Sequence, residues 1–213
     1  MRAKLHLVFD PLCAWCYAMK PFLTESRTYP GTELQLQLHP GLLFPEPTEI
    51  AQEYREHMRS ADMRIAALTG LAFGDAYFHR LNTAPVLRYH SAPPAAAVMS
   101  FQQQSSGDAL TMLETIQHAH YVDGMDVSDV HVLANLAEKL GHQRGEFLDN
   151  YTAARVALPA RANQAYQLLS KTASHGFPSL ILEIDGQLKA QNHSLAYSNP
   201  KQMLSLITQQ MSV

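Results

Sequence analysis

Both cysteines of this 213-residue chain fall in one tetrapeptide, Cys13-Ala14-Trp15-Cys16, where an apolar run gives way to a helix-patterned segment. That junction limits the fold more than any other feature. Leu5-His6-Leu7-Val8-Phe9 reads as a strand over residues 4–9, and residues 16–28 read as a helix with Met19, Phe22 and Leu23 on one side. Leu34, Leu36 and Leu38 then alternate with Gln35, Gln37 and His39, the period of a half-buried strand. Strand–helix–strand is the opening of an α/β unit. A Cys-x-x-Cys at the head of its helix lets one thiol face solvent while the other lies a turn further in, close enough to form a disulfide. Unpaired N–H groups and the dipole at a helix N-terminus favour thiolate over thiol. Thiolate is the form that attacks disulfides. The spacing therefore points to thiol–disulfide exchange, with Cys13 as nucleophile and Cys16, deeper in the helix, as the resolving thiol.

Other uses of the two cysteines are weaker. A structural zinc site needs four ligands, and no third cysteine exists. The eleven histidines are scattered, and His118-Ala119-His120 has a spacing that does not put both rings on one helix face; no metal site is expected. A disulfide between residues three apart closes too small a loop to add much stability. A pair of reduced core cysteines stays open as an alternative, because free cysteine behaves as a small buried hydrophobe. A formal net charge of −3 gives no basic footprint for nucleic acid, and no apolar stretch is long enough for a membrane span. Met1-Arg2-Ala3-Lys4 runs straight into the first strand with no room for a secretory signal, so the expected location is cytoplasmic. In that compartment a lone Cys-x-x-Cys is catalytic more often than structural.

After Pro40-Gly41 strand signals vanish for more than a hundred residues. Val98 and Phe101, then Leu110, Leu113 and Ile116, then Val130, Leu133, Ala137 and Leu140 recur at helical spacing. Breaks fall at Phe44-Pro45-Glu46-Pro47, Ser91-Ala92-Pro93-Pro94, Ser105-Ser106-Gly107-Asp108 and Gly141. Asp123-Gly124-Met125-Asp126-Val127-Ser128-Asp129 lacks the ligand set of a calcium loop and reads as a turn, with Asp126 or Ser128 capping the next helix. Ala165, Leu168, Leu169 and Thr172 mark a helix, followed by His175-Gly176-Phe177-Pro178, a strand over Leu180–Ile184, an Asp185-Gly186 hairpin turn, a strand at 187–189 and a last helix near 200–211.

In this order the elements resemble the thioredoxin superfamily, and within it the DsbA-like branch and its FrnE-like subgroup of dithiol–disulfide isomerases. The resemblance is carried by the strand ending at Phe9, Cys13-x-x-Cys16, Pro21 five residues on, Cys-x-Trp-Cys-Tyr, Tyr121-Val122-Asp123-Gly124-Met125-Asp126, and Gly176-Phe177-Pro178 before the late hairpin. It implies an α/β thioredoxin-like fold with a large all-helical insertion: residues 1–41 and 159–213 form the thioredoxin-like domain, and 42–158 the insertion. It further implies a cis Phe177–Pro178 bond facing Cys13, with the Phe177 backbone free to pair with an extended substrate. An ordinary trans proline opening a strand is the alternative. Trp15 is read as a flat substrate-contact surface, or else as packing against the insertion, and Asp10-Pro11 as a strand-ending turn. Substrates are disulfide or dithiol proteins. No cofactor is expected, and glutathione is a candidate redox partner. Kappa-class glutathione transferases and 2-hydroxychromene-2-carboxylate isomerases resemble this architecture but typically carry serine where Cys13 stands. That gives glutathione binding as the second functional reading and a noncatalytic protein-binding module as the third. Ala14-Trp15 lacks the histidine that strongly oxidising DsbA enzymes hold between their cysteines, which leans towards reduction or isomerisation.

Overall fold

A computed structural model describes residues 3–29, 34–102 and 106–211. In chain order it contains β1 (Ala3–Phe9), α1 (Ala14–Tyr17), α2 (Lys20–Thr28), β2 (Leu34–Pro40), β3 (Thr48–Glu49), α3 (Gln52–Thr69), α4 (Asp75–Thr83), β4 (Arg88–Tyr89), α5 (Ala92–Gln102), α6 (Ser106–Tyr121), α7 (Val130–Lys139), α8 (Arg144–Lys171), β5 (Ser179–Ile184), β6 (Gln187–Gln191), α9 (Ser194–Ser198) and α10 (Pro200–Met211). Four strands form the main sheet in the order β2-β1-β5-β6. β1 is parallel to β2 and antiparallel to β5, and β5 turns back into β6. Asp185 and Gly186 both take positive φ in that turn, as a tight hairpin of the expected type requires.

β1 is central and buried on both faces, which is why it reads as a continuous apolar run and not as an alternation. On one face Val8 and Ile181 pack against Ala165 and Leu169 of α8. Leu5, Leu7, Phe9, Leu180 and Leu182 share the larger core with Phe22 and Leu23 of α2 and Leu204 and Ile207 of α10. The result is a DsbA-like thioredoxin fold with a helical insertion between β2 and β5.

Four details depart from the sequence reading. The helix expected over 16–28 is two pieces, because Pro21 at the start of α2 has no N–H to give to the turn before it. The middle segment is not wholly helical: Thr48–Glu49 pairs with Arg88–Tyr89 in a separate two-stranded ladder. α8 runs without interruption through residues 158 and 159. Pro159 is tolerated inside it because Ala154, Leu158, Ala162, Ala165 and Leu169 form one buried stripe along its length. Finally, α7 is capped by Asp129, whose carboxylate accepts from the His131 N–H; Asp126 instead accepts from the Ser128 N–H in the turn before it. Of the break expected at 105–108, residue 105 lies outside the described residues, and 106–108 belong to α6.

Candidate active site

β1 delivers the chain to the edge of the core at Phe9, and the next seven residues build the site. Asp10 is fully buried, and its two carboxylate oxygens accept the N–H groups of Leu12 and Leu43, each at 2.7 Å. One side chain thus ties the segment leading into the cysteines to the chain leaving β2. Burial pushes its pKa up to about 6, against the pull of those N–H groups and of the nearby Ser91 hydroxyl. The Asp10 backbone N–H points at the Cys16 sulfur, 3.4 Å away. A strand-ending turn is therefore only part of what Asp10-Pro11 does. The sequence carried no sign that this carboxyl would be internal.

Cys13 caps α1, and its carbonyl accepts the N–H groups of Cys16 and Tyr17. Both cysteines are free thiols. Cys13 keeps 8% of its surface and Cys16 2%, so the first thiol is the one a reactant can touch, through a narrower opening than a solvent-facing thiol implies. Burial, then the neighbouring Cys13 thiol, and to a smaller extent the Asp10 charge, hold the Cys16 thiol well above the ordinary cysteine range. Tyr17, the next residue, is buried, stacks on Tyr121 of α6 at 5.0 Å and donates its hydroxyl to the Ala72 carbonyl. It anchors the short cysteine helix to the helical segment.

The opposite wall comes from the loop before β5. The Phe177–Pro178 peptide bond is cis, and the Cys13 thiol donates to the Phe177 carbonyl at 3.4 Å. The carbonyl expected to await a substrate strand is thus engaged by the thiol in this state. The Phe177 ring turns the other way: it lies over Gly41 and near Tyr166, with ring centroids 6.3 Å apart. A Cβ at residue 41 would meet that ring at 2.1 Å, so any other residue there must displace the Phe177 ring. Trp15 is 37% exposed, and its ring contact is with Tyr197 of α9, centroids 5.2 Å apart, on the thioredoxin side of the molecule. Cys13, Cys16, Trp15, Phe177 and Pro178 are thus brought together. Sequence reasoning missed Asp10, Tyr17, Tyr197 and His193. Tyr197 lies in the five-residue α9 and His193 caps it, a segment too short for a helical pattern to mark them. Among the described residues no three His, Cys, Asp or Glu side chains converge to hold a metal.

A family model described as the DSBA-like thioredoxin domain matches residues 4–198. The chain belongs to that family. Its structure is similar to the cytosolic disulfide reductase DsbM from Pseudomonas aeruginosa, with 33% identity over 98% of both chains and a TM-score of 0.86. The same reductase solved with GSH matches at 31% identity over 99% of this chain and 100% of that one, also at a TM-score of 0.86. A 2-hydroxychromene-2-carboxylate isomerase matches over 99% of this chain and 100% of that one, with a TM-score of 0.64; at 14% identity the likeness is one of fold alone. The sequence matches none of the curated proteins compared.

Proposed function

We propose that the chain is a thiol–disulfide oxidoreductase that works as a disulfide reductase, with Cys13 as nucleophile, Cys16 as resolving thiol and glutathione as the source of electrons. The observation that carries this reading is the asymmetry of the dithiol. Cys13 opens to the surface against the Phe177 carbonyl, and Cys16 lies behind it, buried, with its thiol held protonated. Cys13 thiolate attacks one sulfur of a substrate disulfide; the S–S bond breaks, the departing sulfur leaves as thiolate and is protonated, and a mixed disulfide remains. Cys16 loses its proton and attacks the Cys13 sulfur, releasing the second substrate thiol and leaving the Cys13–Cys16 disulfide. Two glutathione thiols then reduce that disulfide and leave as oxidised glutathione. The reductase direction is supported by the likeness to a cytosolic disulfide reductase and its GSH-containing form. It agrees with a cytoplasmic setting, where thiols are kept reduced. No described helix is long and apolar enough to cross a membrane.

Trp15, the Phe177 backbone and Pro178 form the substrate contact in this reading. The half-exposed Trp15 offers a flat apolar face beside the nucleophile. The test pairs two variants in an insulin-reduction assay supplied with glutathione. Cys16→Ser is expected to accumulate mixed disulfides, and Cys13→Ser to lose both activity and trapping. Equal trapping by both variants, or full activity in either, would overturn the assignment. Conjugation of glutathione to a model electrophile with no disulfide reduction would move the reading to the transferase class.

A further inference from the structure

A second cleft borders β2 before the strand reaches Gly41 and the Phe177 ring. It lies between β2, α5 and α8, measures about 280 Å³, and is lined by Gln37, Met99, Gln102, Ala154, Ala157 and Arg161. Gln37 precedes Pro40 at the active-site end of β2 by about 10 Å of strand. One polar atom in this cleft lacks its partner. Gln102 donates its Nε2–H to the Leu38 carbonyl at 3.2 Å; a carbonyl only accepts, so the amide oxygen faces the other way. That oxygen, Oε1, is buried and meets no donor among the described residues. Such an acceptor is rare in a native fold. Arg161 has the complementary lack: it is exposed, and its guanidinium makes no ion pair or hydrogen bond among the described residues. The surrounding elements explain why. β2 and α5 contain no acidic residue, and α8 contains none after Asp149. On the sheet face that carries Gln37 and His6, the carboxylate of Glu183 is already taken by Lys4 at 3.1 Å and His6 at 2.8 Å. His39 is bonded to His6 at 2.8 Å and supplies no negative charge.

We propose that this cleft binds the carboxylate end of an N-acylated amino acid with a small side chain, the acylamino-carboxylate group that also ends a peptide. Arg161 pairs with the carboxylate, the charge that its own surroundings do not provide, through the planar fork of its guanidinium. Gln102 Oε1 accepts the amide N–H beside that carboxylate. The half-buried Gln37 amide borders the same space and is a further donor for the second carboxylate oxygen. Met99, Ala154 and Ala157 give the short side chain an apolar wall. Phosphate matches the cleft less well. As a dianion it brings no donor for Oε1, and one guanidinium balances a single negative charge. Neither cysteine lines the cleft, so the proposal does not rest on the exchange chemistry.

The probe is N-acetylglycine, titrated into the reduced, nitrogen-labelled full chain. NMR follows the side-chain NH2 signals of Gln37 and Gln102 and the Nε–H signal of Arg161. All three are expected to shift along one saturable curve at millimolar probe. Arg161→Gln is expected to weaken binding about tenfold or more, the scale of a charge-assisted hydrogen bond. Arg155→Gln, on the same helix but outside the cleft, is expected to leave it unchanged. Two altered probes test the contacts without changing the protein. N-acetylglycinamide lacks the charge and is expected to bind about tenfold more weakly; acetoxyacetate has an ester oxygen in place of the N–H and is expected to bind about fivefold more weakly. The tripeptide Ala-Ala-Gly separates the two sources of this group. Tighter binding than N-acetylglycine assigns the cleft to a peptide end and weaker binding to a free N-acyl amino acid, and both support the site. No shift at the three signals, N-acetylglycinamide, acetoxyacetate or inorganic phosphate binding as tightly as N-acetylglycine, or equal losses in Arg155→Gln and Arg161→Gln would overturn the proposal. A chain that gives this titration but reduces no disulfide loses the reductase reading and keeps the cleft; a chain that reduces disulfides but gives no titration does the reverse.

Discussion

Replacing Asp10 by asparagine removes the charge from a fully buried carboxyl. Asp10 has a pKa of about 6 in the folded chain against 3.8 for the free side chain. The folded state thus binds this proton more tightly than the unfolded state does. The stabilisation it contributes is fully present below about pH 4 and is lost as pH rises through 6. A rise of roughly two units corresponds to about 3 kcal/mol between those limits, at 1.36 kcal/mol per unit. Asparagine keeps one carbonyl oxygen for the Leu12 or Leu43 N–H but turns an NH2 group towards the other, which costs about 1–3 kcal/mol for the unmet donor. The two effects nearly cancel at neutral pH, so a single stability measurement would say little. The pH dependence separates them. Urea unfolding of the reduced protein at several values between about pH 4 and pH 8 should show the wild type losing about 3 kcal/mol more than Asp10→Asn over that interval. The variant should also titrate Cys16 lower, because the Asp10 charge helps hold that thiol up. Identical pH slopes for the two proteins would refute the reasoning. They would mean that Asp10 is hydrated or that its two N–H partners compensate for its burial in full.

Gly41→Ala drives a methyl group into the Phe177 ring at 2.1 Å and should cost about 1–3 kcal/mol of stability by overpacking, visible as a lower urea midpoint, together with a loss of disulfide reduction as the Phe177 carbonyl leaves Cys13. Asp62 is buried with its pKa raised to about 6 by desolvation, and the Tyr77 hydroxyl bonds it at 2.7 Å; Tyr77→Phe should destabilise by about 1–3 kcal/mol above pH 7 and by much less near pH 5, where Asp62 is already neutral, and an equal loss at both values would count against this account.

The fold was legible where one physical signal dominated. The double-sided burial of β1, the two-residue period of Leu34, Leu36 and Leu38, the Asp185-Gly186 turn and the helical spacing through 98–140 each report local geometry, and each element stands where the pattern put it. What failed was decided by tertiary contact. Pro159 reads as a boundary to any local rule, yet the helix continues because its stripe packs on α5 through Ala154 and Leu158 and on the sheet through Ala165 and Leu169. Thr48–Glu49 and Arg88–Tyr89 are too short for a two-residue period to register; their ladder exists because the chain closes on itself there. The same distinction divides the site. Cys13, Cys16 and Pro178 announce themselves by type and spacing. Asp10, Tyr17, Tyr197 and His193 are ordinary residues whose role comes only from what surrounds them.

That division has a mechanical sense. Cys13 caps α1, a single turn of four residues that carries Cys16. Such a turn holds its geometry only if its neighbours fix it, and here each side has one. Asp10 grips the approach from below through two backbone N–H groups. Tyr17 fastens the far end to α6 and to the Ala72 carbonyl of the helical segment. Trp15 rests on the ring of Tyr197 in α9, whose hydroxyl lies 3.0 Å from His193 Nδ1. The helical segment is therefore more than a cover over the sheet: it supplies one of the three supports that hold the turn carrying the two thiols. A change in how α3, α4 and α6 pack, such as the loss of the Asp62–Tyr77 bond beside Tyr121, reaches the dithiol through the Tyr17 ring without touching either sulfur.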